Sequence, residues 1–105
     1  MQTKPTEVTP EHIADWKAKH GDVYELKITD EDGQTKKAYV KKPGRKTLSY
    51  ASTSGQTDPM LFNEIVLKEC FLGGDDVLTD DDDFLAASSQ IGELIKFKEA
   101  ELVKL

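Results

Sequence analysis

An α+β fold is what the patterning of this chain predicts: an N-terminal helix, a β-hairpin, and then two or three helices packed on one face of the hairpin. Three observations carry that expectation. A capped helical stretch, TPEHIADWKAKHG, comes first; two runs with strand-period alternation flank the turn residues DEDGQ; and beyond Gly44 the apolar residues recur at helical steps. With 105 residues the chain has material for one hydrophobic core rather than two, so a single domain spanning residues 1–105 is expected.

The opening residues 1–8, MQTKPTEV, carry no periodic pattern and read as a loose arm. Thr9 is a good N-cap, Pro10 suits the first helical position, and Glu11 favours the positive helix end. Ile13 and Trp16 then share a face, and Gly21 supplies the stop. Tyr24, Leu26 and Ile28 alternate with Glu25, Lys27 and Thr29, as a half-buried strand requires. Asp32-Gly33 is turn chemistry, because the positive φ of a tight hairpin suits these residues. The returning strand sets Ala38, Tyr39 and Val40 among Lys36, Lys37, Lys41 and Lys42, so only one of its faces can be buried, and Pro43 with Gly44 ends it.

RKTLSYASTSG reads as a short helix diluted by Ser and Thr. In TDPMLFNEIVLKECFLGG the signal is stronger: Asp58 caps, Pro59 opens the helix, and Phe62, Ile65, Val66 and Cys70 share a face that Leu61 and Leu72 widen. Gly73 and Gly74 read as its stop, with Val77 and Leu78 tucked beneath the loop that follows. The last segment, 80–105, reads as one long C-terminal helix, with Phe84, Ala87, Ile91, Leu94, Ile95 and Leu102 along an apolar stripe and Gly92 as its weak point. Uninterrupted, it would measure roughly 39 Å at ~1.5 Å per residue. That exceeds the core of so small a domain, and part of it is expected to project towards a partner.

Composition narrows the function. A formal charge of −6 disfavours nucleic acid and anionic membranes as partners and steers basic ones inward. The single cysteine, Cys70, sits among Val66, Leu67, Phe71 and Leu72, which predicts a buried thiol in a reducing compartment. No run approaches the ~20 apolar residues of a membrane span, and the start lacks the apolar stretch of a signal peptide. A cytoplasmic protein is expected.

The stretch LGGDDVLTDDDDFL places six aspartates in the nine residues from Asp75 to Asp83. A calcium loop needs alternating oxygen ligands, a central glycine and a closing glutamate, whereas Asp80 to Asp83 are consecutive and no glutamate follows before Glu93. A helix start explains the run better: Thr79 or Asp80 caps, and the carboxylates behind it meet the unpaired N–H groups and partial positive charge of that end. His12 and His20 lie eight residues apart, two turns along a helix and too far for a shared metal. The chain has no GxSxG, HExxH, paired CxxC or phosphate-cradling glycine loop. No catalytic residue, metal site or cofactor is expected, and the reading is not that of an enzyme. The acid-free run Lys36, Lys37, Lys41, Lys42, Arg45 and Lys46 is read as a guard on an exposed hairpin edge, or as the counterpart of the six aspartates.

With the order helix, hairpin, helices in place, the stretches WKAKHGDVYELKI, AYVKKPGRKTLSYA and FNEIVLKECFLGGDD together resemble the small tail assembly chaperones of long-tailed phages and prophages. The likeness lies in the Trp16-to-Tyr24 entry from helix to strand, in the Lys42-Pro43 step that ends the hairpin, and in the closing helices. It implies a non-enzymatic role in the bacterial host cytoplasm: binding the long helical tape measure protein, shielding its apolar stripe, and helping to recruit tail tube subunits. Members of that family are often also made in a longer, frameshifted form. A protein partner is thus expected, with no nucleic acid and no membrane; self-association into a homo-oligomer stays open. Leu94, Ile95, Leu102 and Leu105 are the candidate partner contacts, in the helix-in-groove mode. The rival readings are an acidic inhibitor that mimics nucleic acid, and a metal-dependent hydrolase in which Asp80 to Asp83 converge with further ligands in a pocket.

Overall fold

The computed structural model of the chain describes residues 7–96 and 100–105. The expected order is present. Helix α1 (Pro10–His20) leads into the hairpin of β1 (Val23–Thr29) and β2 (Thr35–Lys41), followed by α2 (Arg45–Ser54) and α3 (Pro59–Cys70). A third strand, β3 (Phe71–Gly74), and the short helices α4 (Asp81–Ser88) and α5 (Ile91–Leu94) complete the α+β fold. Of the arm expected at 1–8, residues 1–6 lie outside the described residues.

The start of α1 carries more than the sequence reading assigned to it. The Thr9 hydroxyl accepts from the His12 N–H at 3.3 Å while His12 Nδ1 accepts from the Thr9 N–H at 3.1 Å, a capping box with histidine in the acceptor's place. At the hairpin tip Gly33 alone takes positive φ, at 82°, and the Asp30 carboxylate accepts the N–H groups of Asp32 and Gln34, both at 2.9 Å. β1 and β2 then pair from Val23↔Lys41 to Thr29↔Thr35.

β3 corrects the reading of Gly73-Gly74 as a plain helix stop. The chain turns extended at Phe71, directly after Cys70, and pairs antiparallel with β2 (Ala38↔Gly74, Tyr39↔Gly73, Val40↔Phe71), with a register shift at Tyr39/Val40. The glycines serve proximity: a Cβ on Gly74 would lie 2.4 Å from the Lys37 carbonyl oxygen, and its φ is +102°. The sheet order is β1-β2-β3. β2 is therefore central, and its lysines do not guard an edge.

One cluster of buried side chains joins the elements. Ala38 and Val40 of β2 meet Ile65, Val66, Leu67 and Cys70 of α3, with Val77, Ala87, Ile91 and Leu94 closing over them and Ala51 contributed by α2. On the opposite face Glu25 and Tyr39 pair across the strands, the Tyr39 hydroxyl donates to Glu25 at 3.1 Å, and Trp16 of α1 lies 6.0 Å from the Tyr39 ring. The later helices thus share one face of the sheet, and α1 leans on the other without burying any residue fully.

The single helix expected over 80–105 is not formed. α4 ends at Ser88, α5 runs only from Ile91 to Leu94, and residues 100–105 have neither helix nor strand; residues 97–99 lie outside the described residues. The cause is local. Ser88 and Ser89 are poor helix interiors, and the Ser89 hydroxyl donates to the Ala86 carbonyl at 2.6 Å, bonding back on the preceding turn. Ala87, before the break, and Ile91 and Leu94, after it, all lie in the same core.

The two tight glycines separate conformation from crowding. Gly33→Ala is expected to cost about 1 kcal/mol, since only its φ is unfavourable and no heavy atom lies within 4 Å of the added Cβ. Gly74→Ala, which adds a backbone clash to the same strain, is expected to cost at least about 3 kcal/mol. Denaturant midpoints of the two variants check the order.

Candidate functional site

The aspartate stretch builds a frame. The Asp75 N–H donates to the Lys37 carbonyl at 2.8 Å and the Asp75 carboxylate accepts the Lys37 N–H at 2.9 Å, so the loop extends the β2–β3 ladder by one residue. The Asp76 carboxylate accepts the N–H groups of Leu78 (2.8 Å) and Thr79 (3.3 Å) and the Thr79 hydroxyl. These bonds, the Thr79 hydroxyl foremost, hold the Asp76 carboxyl below its usual pKa. Asp80 then caps α4, accepting the Asp83 N–H at 3.0 Å, with Asp81, Asp82 and Asp83 in the first turn. The helix-start reading of the run holds.

Basic hairpin and acidic loop do face each other within one molecule. The Lys36 ammonium donates to the Asp83 carboxylate at 2.5 Å, and that bond raises the lysine's pKa against a weaker opposing effect of desolvation. Among the described residues no group of three or more His, Cys, Asp or Glu is placed to hold a metal ion, and no helix is long and apolar enough to cross a membrane. Cys70 is fully buried, as its neighbours imply, and burial pushes its thiol up to about 11.

Fastened at Asp75 and Asp83, the loop sets α4 and α5 across the sheet face beside β1. Between them runs a groove of about 500 Å³. Its floor is apolar, from Leu26, Ile28, Val40 and Leu67; one wall is β1 itself, and the other is formed by Ala86, Ala87, Ile91 and Leu94, with Gln90 and Glu93 at the rim. A second, smaller space of about 200 Å³ lies between β2, β3 and Val77-Leu78.

The four candidate contacts part company here. Leu94 is core, 7% exposed, and reaches the groove only as part of its wall. Ile95 packs against that core. Leu102 and Leu105 are fully exposed, with Val103 between them at 61%. They do not form one stripe, because the helix expected to align them is broken. The groove itself escaped the sequence reading: its β1 wall was legible as alternation, but the opposite wall depends on where the chain bends after Ser88.

No family model, no curated protein and no solved structure matches the chain.

Two titrations probe the frame. With its pKa depressed in the fold, Asp76 contributes stability that is present above the ordinary carboxylate pKa of ~3.9 and is lost as pH falls through the lower folded value. Thermal melts in acid are expected to show a shallower decline for Asp76→Asn than for the native chain. Cys70, protonated and enclosed at pH 8, is expected to react with a disulfide reagent at least about 100-fold more slowly than in denaturant. The rate of thiol release measures this.

Proposed function

We propose that this chain is a non-enzymatic tail assembly chaperone of phage or prophage type, which shelters the apolar stripe of a helical partner such as a tape measure protein or tail tube subunit in the bacterial cytoplasm. The observation that carries the reading is the groove beside β1, about 500 Å³ in volume, with an apolar floor and a polar rim. The sequence resemblance supplies the kind of partner, and the groove supplies a place for it. Leu94 and Ile95 then act from the groove's wall and its support, while Leu102 and Leu105 add exposed apolar surface nearby in sequence.

The rival reading as a nucleic-acid mimic draws less support. Asp75, Asp76, Asp80 and Asp83 are already hydrogen-bonded to the chain's own groups, and a mimic needs its carboxylates turned outward to a basic site.

A labelled amphipathic helical peptide with leucines at i, i+3, i+4 and i+7 tests the proposal by fluorescence anisotropy. Binding is expected to change less than about twofold between 50 and 500 mM salt, as an apolar contact should. Ala86→Glu, an exposed position on the groove wall, is expected to weaken it at least about tenfold. Absence of binding, or steeply salt-dependent binding to a basic protein instead, would sink the reading.

A further inference from the structure

The groove's lining is unusual in one respect. Six consecutive β1 residues, Tyr24 to Thr29, border it, whereas a space lying only on the sheet's face would meet every second residue. The groove therefore extends from the sheet's face to the strand's edge, and β1 is an edge strand. Pairing with β2 uses the backbone N–H and C=O groups on one side of β1; those on the other side point outward from the sheet's edge, where the groove opens. An extended segment can satisfy them.

The chain carries a segment of matching character. Residues 100–105, AELVKL, have neither helix nor strand, and Leu102, Val103 and Leu105 are exposed. We infer that segment 100–105 of a second copy of this chain adds to the free edge of β1 as an antiparallel fourth strand, with Val103 and Leu105 over the groove. Side-chain alternation and charge select the arrangement. Setting Val103 opposite Leu26 antiparallel places Leu105 opposite Tyr24, Lys104 opposite Glu25, and Leu102 along the stem of Lys27, with Glu101 opposite Ile28 where the segment begins. The parallel alternative puts Lys104 opposite Lys27, like charge against like. Shifting by one residue turns Val103 and Leu105 away from the groove and leaves only Leu102 to fill it.

A second copy, rather than the segment's own chain, is the occupant because within one chain Leu102, Val103 and Leu105 stand exposed and none of them lines the groove. Reciprocal exchange fills both grooves and covers both segments, the closed two-fold arrangement that identical chains favour. The inference goes beyond the tail-assembly reading and does not rest on it; the segment and a helical partner take the same groove, so the two bind in competition.

Light scattering coupled to size exclusion, run on the full chain from 1 to 200 μM, tests the exchange. The native chain is expected to be a dimer at the upper end of that range. The full-length double variant Val103→Asp, Leu105→Asp is expected to be a monomer with an unchanged circular dichroism spectrum, since both positions are exposed. Glu25→Lys is expected to weaken dimerisation about fivefold, there being two such pairs per dimer, and Lys104→Glu in the same chain to restore it. A native chain monomeric throughout, a dimer indifferent to the double variant, or no restoration by the charge swap would each overturn the inference. So would a monomer whose own segment is protected from hydrogen exchange, which places the segment in its own groove.

Discussion

Gly74 lies closer to the Lys37 carbonyl than any side chain would allow, and the positions of the later elements follow from that approach. It lets β3 pair with β2, and the ladder runs on through Asp75, whose two bonds to Lys37 start the acidic loop from a fixed point. From there α3 is held against the sheet on one side of β3 and α4 on the other. Both helices cover the same face of the sheet, where their apolar side chains join one buried cluster. The apolar cluster around Val66 and Cys70 is the result, with the hydrophobic gain of each buried aliphatic side chain on the order of 1.5–3 kcal/mol.

The charged surface serves the same frame. Six aspartates within nine residues would repel one another in an extended chain, yet in the fold they are divided among separate tasks: ladder extension at Asp75, loop closure at Asp76, a cap at Asp80 and an ion pair at Asp83. Lysines on β2 alternate between the two faces of the sheet, and one on the covered face needs solvent or a counter-charge above it. Here the loop brings carboxylate to Lys36, which gives charge on β2 a structural use.

What could be read beforehand follows from how local each cause is. Thr9, Asp58 and Asp80 cap helices through bonds to residues two or three positions on, and the hairpin alternates with period two; such signals lie within a window of a few residues. β3 was hidden because its cause is distant: Gly73 and Gly74 have the composition of a helix stop, and only their pairing with Ala38 and Tyr39 makes them a strand. The break after Ser88 was hidden for a related reason. Apolar residues recur at helical steps straight through it, and periodicity cannot show that Leu94 reaches the core by a bend. The groove inherits that blindness, since one of its walls was legible and the other was not.

The middle place of β2 bears on how the chain folds. The hairpin forms from neighbours in sequence, but its inner strand is completed only by β3, and the ladder between Ala38 and Gly74 encloses all of α2 and α3 as its connecting loop. Closing so long a loop costs conformational entropy before any contact repays it. Docking of Val66 and Cys70 onto Ala38 and Val40 offsets that cost at the moment the ladder zips. Hairpin, α3 and β3 therefore gain their stability together, the third strand of the sheet and the packing of α3 each depending on the other.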